Sequence, residues 1–175
     1  MINYENLGLN IYDNFISDEE HSILMNEIIG EIRKTDIPGR YISRNRVLRY
    51  GDQSMCENNY ISNDLPPIID KIALKLVKDN LLKYKPDTIN INEYLKDDYI
   101  HPHIDRKASG PVVTILSLQS PATMVFTDGK VRFEQILYPK MLIQMRDIIR
   151  WRWHHHILPV EDTRYSIIFR NKFEA

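Results

Sequence analysis
The sequence predicts an α+β fold, with a double-stranded β-helix (jelly-roll) core and N-terminal helices packed on one of its sheets. Three observations lead there. Before residue 88 the apolar residues recur at helical spacing behind clear capping signals. After it they fall into eight short runs rich in isoleucine, valine, threonine and aromatics. The separators between those runs are turn residues, among them Ser109-Gly110, Asp128-Gly129 and Tyr138-Pro139.

Taken in order, the first helix is expected over about residues 18–33. Ser17 followed by Asp18, Glu19 and Glu20 is a capping box, and Leu24, Met25, Ile28, Ile29 and Ile32 then share one face. A second helix starts at Pro66 and Pro67, which suit a first turn, presents Ile69, Ile72, Ala73, Leu76 and Val77, and is expected to end at Pro86. From Thr88 onward the chain reads as strand only. Strands are expected near residues 88–94, 100–103, 112–118, 123–127, 130–137, 141–145, 149–153 and 165–170. Asp128-Gly129 is expected to join two of them in a type I′ turn, since both residues tolerate positive φ. Many short strands with few long loops make a jelly roll.

A chain of 175 residues with 43% hydrophobic content can bury a core without disulfides or a structural metal. One domain over 1–175 is expected, with helices and a basic recognition region at about 10–85 and the jelly-roll core at about 88–171. The lone cysteine, Cys56, excludes an intramolecular disulfide. The N-terminus lacks a basic segment followed by an apolar run, and no apolar stretch approaches the roughly 18 residues of a membrane span. A soluble, intracellular monomer with no membrane partner is the expectation, in cytoplasm or nucleus alike. The net charge of −1 argues against wholesale coating of nucleic acid. Residues 33–50 depart from that balance, with Arg33, Lys34, Arg40, Arg44, Arg46 and Arg49 against the single acid Asp36. One reading is a solvated surface. The other is a lid that grips phosphate, with Tyr41 and Tyr50 placed to stack on a base.

Five of the six histidines fall in two clusters, His101 and His103 in "YIHPHID" and His154, His155 and His156 in "WRWHHHILP". Residues two apart on a strand face the same way, so His103 and Asp105 can present an imidazole and a carboxylate to one cation, with a histidine from a distant strand completing the face. Two histidines and a carboxylate leave coordination positions open, as oxygen-activating iron(II) requires, whereas structural zinc is closed by four protein ligands. Farther on, Arg164, Ser166, Ile168 and Arg170 share one face of a strand. Arginines aimed into a barrel are costly unless they hold an anion, and a guanidinium fork suits a dicarboxylic acid. Asn92 and Tyr94 form a further period-two pair able to aim at the same interior.

Taken together, "NEY", "HPHID", "LIQMRDIIRWRWHHHI" and "RYSIIFR" resemble the AlkB family of iron(II)- and 2-oxoglutarate-dependent oxygenases, in order and spacing, over residues 92–170. Upstream, "IYDNFISDEEHSIL" resembles the family's opening strand and helix, and "RVLRYGD" the strand before its substrate-recognition region. The resemblance implies that His103, Asp105 and His155 ligate Fe(II), with 2-oxoglutarate and O2 as cosubstrates. His155 is preferred because Trp153 and Ile157 match the family's flanking aromatic and aliphatic residues; His154 and His156 stay open, since neighbours on a strand face opposite ways. It further implies that Arg164, with Asn92 and Tyr94, binds the cosubstrate carboxylate distal to iron, that Ser166 contacts the cosubstrate, and that Arg170 lies near the iron-chelating carboxylate.

Arg146 stands where the family commonly has glycine, and Arg106 follows the triad aspartate, so an acidic base contact found in some relatives is missing. The expected partner is a methylated base in single-stranded or base-flipped DNA or RNA, contacted by Arg44, Arg46, Arg49 and Tyr50 and demethylated with release of formaldehyde, succinate and CO2. The alternatives are a 2-oxoglutarate oxygenase acting on a protein side chain or small metabolite, and a non-catalytic metal-binding jelly-roll module.

Overall fold
A computed structural model describes residues 5–34, 46–51, 61–62 and 65–172. The opening segment forms β1 (Leu9–Tyr12) and α1 (Asp18–Lys34). At the start of α1 the capping box closes both ways: Ser17 N donates to Glu20 Oε2 at 3.0 Å and Glu20 N donates to Ser17 Oγ at 3.1 Å. Next come β2 (Arg46–Gly51), β3 (Ile61–Ser62) and α2 (Pro67–Lys78). Helix α2 ends well before Pro86. Asn80 takes a left-handed φ of 58°, and the amides of Leu81 and Leu82 both donate back to the Leu76 carbonyl, which closes the helix locally.

The rest is mostly strand: β4 (Thr88–Tyr94), β5 (Ile100–His103), β6 (Val113–Leu118), β7 (Ala122–Thr127), β8 (Arg132–Leu137), β9 (Leu142–Met145), β10 (His154–Ile157) and β11 (Arg164–Arg170). Seven strands form one sheet in the order β1-β9-β6-β11-β4-β2-β3, and four form a second in the order β5-β10-β7-β8. Pairing is antiparallel except between β2 and β3, and the two facing sheets make the expected jelly roll.

Two further sequence expectations fail here. Residues 149–153 were expected as strand, yet Asp147–Arg152 is a short helix, α3. Asp147 sits at φ 47°, and Arg150 N donates to Arg146 O, so the chain coils between β9 and β10. Coiling brings Ile149 and Trp153, four apart, onto the same core. The β-propensity of an isoleucine and tryptophan run is overridden by that packing. The hairpin between β7 and β8 is also not a two-residue type I′ turn. Its loop spans 128–131, only Gly129 has positive φ, and Asp128 Oδ1 accepts from the amides of Lys130 and Val131, an Asx turn that fixes the loop instead.

Helices α1 and α2 cover one face of the seven-stranded sheet. Leu24, Ile28, Ile69, Ile72 and Leu76 pack there against Leu48 and Tyr50 of β2, Ile89 and Ile91 of β4, and Tyr165, Ile167 and Phe169 of β11. The other face meets the smaller sheet across a second core that includes Ile115, Met124, Phe126, Phe133, Ile143 and Ile168. Strands β4, β6, β9 and β11 thus serve both cores by alternation. Among the described residues, no helix is long and apolar enough to cross a membrane.

Candidate active site
Strands β5 and β10 pair antiparallel with His103 opposite His155, and their rings lie 4.4 Å apart between centroids. Asp105 follows β5 and reaches both: His103 Nε2 lies 3.9 Å from its Oδ1, and His155 Nε2 lies 3.9 Å from its Oδ2. The potential ligand atoms of all three residues fall within 4.8 Å of one another. In β10 the alternation buries His155 and Ile157 and leaves His154 exposed and His156 half-buried, so of the three histidines it is His155 that stands beside His103 and Asp105. His101 is exposed, but its carbonyl lies 2.8 Å from His103 Nδ1; a proton on Nδ1, donated to that carbonyl, leaves the Nε2 that faces Asp105 with a free lone pair.

The electrostatics keep this trio ready for a cation. Burial alone would raise the Asp105 pKa, but Arg170, His155, His103 and Arg150 outweigh it and hold the carboxyl at about 2. His155 is pushed down to about 4, chiefly by burial, with Asp105 opposing. Near neutral pH the pocket therefore offers a carboxylate and a neutral imidazole, the forms that bind metal.

The pocket they line has Ile115, Met124, Leu137 and Ile168 as apolar walls and Tyr94, Arg164, Ser166 and Arg170 as polar ones. Arg164 is 1% exposed. Its Nη2 donates to Ser117 Oγ at 3.1 Å and its guanidinium lies 4.9 Å from the Tyr94 ring centre, yet among the described residues Nε and Nη1 have no hydrogen-bond partner. Burial lowers the Arg164 pKa and raises that of Tyr94, each opposed by the other. Asn92 Nδ2 approaches Ser166 Oγ at 3.5 Å across the β4–β11 pairing. Arg170 donates from Nη2 to Asp105 Oδ1 at 3.0 Å, and with the Asn90 amide turned to present its oxygen Nη1 meets that at 3.1 Å; Nε has no hydrogen-bond partner among the described residues.

The residues expected to contact substrate are not brought together. Arg44 lies outside the described residues, as do Arg40 and Tyr41. Arg46 and Tyr50 stand on the helix side of β2. Tyr50 is 2% exposed within the helix-side core, so it is not available to stack on a base, and Arg46 is ion-paired with Glu93, a 5% exposed residue that also accepts from the Tyr165 hydroxyl. Arg49 alone of the three lies on the pocket side, opposite Asn90, with its Nε unpartnered among the described residues. Alternation along one strand separates them, and nothing in a run of basic residues tells which parity faces the site. Sequence reasoning also passed over Arg150 and Ser117, because their partners, backbone carbonyls and another side chain, are visible only once the strands are assembled.

No family model matches the chain. Among curated proteins it is 33% identical over 126 residues to the uncharacterized protein L905 of Acanthamoeba polyphaga mimivirus, covering 63% of this chain and 60% of that one. It is 30% identical over 165 residues, 87% of its own length, to the mouse tRNA (carboxymethyluridine(34)-5-O)-methyltransferase ALKBH8. This chain is AlkB-like. It spans 24% of the mouse protein, so the likeness concerns one segment of that larger relative. The AlkB-like fold is shared with solved structures: a Pseudomonas putida prolyl-4-hydroxylase (TM-score 0.72, 13% identity, 96% of this chain and 95% of that one) and OsALKBH1 (TM-score 0.68, 14% identity, 94% and 98%).

Whether an AlkB-like cofactor set suits these residues is answered by the donors themselves. Two imidazoles and a carboxylate leave a metal open to further ligands, and the buried Nε and Nη1 of Arg164, unpartnered among the described residues, are donors that a carboxylate in the same pocket would satisfy. Iron(II), with 2-oxoglutarate and O2 as cosubstrates, fits this AlkB-like site.

Proposed function
We propose that this chain is an Fe(II)- and 2-oxoglutarate-dependent dioxygenase that oxidatively demethylates an N-methylated base in DNA or RNA. The observation that carries the enzymatic part is the buried Arg164 fork, half unpartnered, in the same pocket as an open-faced His-Asp-His set. A plain zinc-binding module would have no use for it.

His103, Asp105 and His155 would hold the metal. Arg164 would seat the cosubstrate's distal carboxylate beside Tyr94 and Ser117, with Asn92 and Ser166 alongside. Arg170 keeps Asp105 oriented and ionised and stands ready for the nearer carboxylate. Ile115, Met124, Leu137 and Ile168 exclude water from the reacting centre. When bound, iron(II) with 2-oxoglutarate and O2 supplies an oxidation that yields succinate and CO2 and hydroxylates a substrate C–H bond, which on an N-methyl group releases formaldehyde.

The nucleic-acid substrate is supported by the likeness to ALKBH8, whose name refers to a tRNA base, by Arg49 on the pocket side of β2, and by the basic run at 33–50. Arg44 keeps its place in this proposal as a phosphate contact. Against it, Tyr50 and Arg46 face the helices. That placement favours a second reading, in which the same oxygenase acts on a protein side chain or small metabolite.

The test is to incubate the iron(II)-loaded chain with labelled 2-oxoglutarate in air, with and without N-methylated single-stranded DNA and RNA, following succinate and formaldehyde, with Asp105→Ala as control. Stimulated succinate release with matching formaldehyde is the expected result. Slow succinate release that no oligonucleotide changes would move the substrate to protein or metabolite. No turnover by either form would sink the oxygenase.

A further inference from the structure
Asp105 is the one member of the triad that no strand holds. His103 ends β5 and pairs across to His155 in β10, so backbone pairing sets the two imidazoles relative to each other. Asp105 lies beyond β5, in irregular chain ahead of the 3-10 turn Lys107–Ser109. Its carboxylate meets Arg170, but that contact holds the side chain and not the loop that carries it. The backbone needs a holder of its own.

Arg150 fills that role. Its Nε donates to Gly110 O at 3.0 Å, Nη1 to Asp105 O at 3.1 Å and Nη2 to Arg106 O at 2.8 Å. The side chain is 1% exposed, and its guanidinium lies 4.3 Å from the Trp151 ring centre. All three guanidinium nitrogens are therefore directed at carbonyls of one short loop, the geometry that a planar fork supplies and a point charge does not. The far end of that loop is pinned as well. Gly110 has φ 73°, and a Cβ there would lie 2.0 Å from the Asn171 carbonyl oxygen, just past β11. Arg150 belongs to α3, which runs straight into β10. The stretch that delivers His155 thus also grips the loop that delivers Asp105.

We infer that Arg150 is a positioning residue for the metal centre, clamping the backbone of Asp105 at a set distance from the two imidazoles and so setting metal affinity, without touching metal or cosubstrate. The inference rests on the reading of the site as a metal centre. Partners that orient ligands in this way typically govern metal affinity by 10- to 100-fold.

The experiment titrates Mn(II), an air-stable stand-in for iron(II), into wild type, Arg150→Lys, Arg150→Gln and Ile149→Ala, following bound metal by electron paramagnetic resonance well below the melting temperature of every variant. Ile149 is a buried core neighbour in the same helix, so its truncation reports lost stability alone. Mn(II) affinity is expected to fall roughly 10- to 100-fold in Arg150→Gln, less in Arg150→Lys, and to stay at the wild-type value in Ile149→Ala. Affinities of both Arg150 variants within about twofold of wild type, or an equal loss in Ile149→Ala, would overturn the inference. Should Arg150→Gln fail to fold, Arg150→Lys decides alone. A wild type that binds no Mn(II), or an Asp105→Ala form that binds it as well, overturns the metal-centre reading and this inference together. Mn(II) binding without turnover of any methylated oligonucleotide fails only the substrate proposal, and the Arg150 comparison still stands or falls on its own numbers.

Discussion

Strand β11 lets the two faces of the large sheet be compared residue by residue. Toward the helices it presents Tyr165, Ile167 and Phe169, each packed among aliphatic side chains. Toward the smaller sheet it presents Arg164, Ser166, Ile168 and Arg170, and three guanidinium nitrogens among them have no hydrogen-bond partner among the described residues. A buried donor left unmade costs about 1–3 kcal/mol. The helix-side face is therefore where this strand gains stability, and the pocket face is where it gives some up to hold donors ready for a ligand.

The comparison can be broken at several points. The largest effect is expected from Phe169→Ala, which should destabilise the chain by roughly 3–5 kcal/mol in denaturant unfolding while the folded fraction keeps its 2-oxoglutarate affinity. Loss of cosubstrate binding in the folded protein would show that the two faces are not separate.

The pocket face should also carry a pH signature in the metal-free protein. His155 has a folded pKa of about 4, below the ordinary 6.5, so the unfolded chain binds more protons between those values. Stability should thus fall as pH drops through that window, by up to roughly 3 kcal/mol. Thermal melts of wild type and His155→Gln across this range check it: the variant's profile should be flatter.

Arg164→Met should raise the 2-oxoglutarate dissociation constant about a hundredfold, a little under 3 kcal/mol, measured by calorimetry with Mn(II) present. Its melting temperature should not fall, because the change removes buried donors that lack partners. A melting temperature lowered as far as by Phe169→Ala would mean that Arg164 holds the fold and not a ligand.

The smallest effect concerns β2, whose neighbours point opposite ways. Arg49→Ala should weaken oligonucleotide binding several-fold and lower its salt dependence by about one ion, whereas Tyr50→Phe should leave binding unchanged. Reversal of that order would place the substrate on the helix side.

Much of this arrangement could be read before any strand was placed. The capping box at Ser17, the apolar stripe of α2 and the bounds of β4 and β5 follow from neighbours a few residues apart, and they appear where the pattern predicts. The tripeptide from His103 to Asp105 and the alternation from Arg164 to Arg170 are legible for the same reason. Local spacing failed where distant packing decides. Helix α3 forms because Ile149 and Trp153 both reach the inter-sheet core, and the Asp128 loop widens because a carboxylate caps two amides.

What the residues determined by themselves is the chemistry available: two clusters of histidine near an aspartate, and arginines alternating along a strand. Only the tertiary structure decided that His155 and not its neighbours turns inward, that Tyr50 belongs to the core, and that Arg150 grips the loop of Asp105. The physical reason is parity and reach. A pattern of period two states that residues share a face but not which face, and a guanidinium's partners lie wherever the sheets bring carbonyls within 3 Å or so.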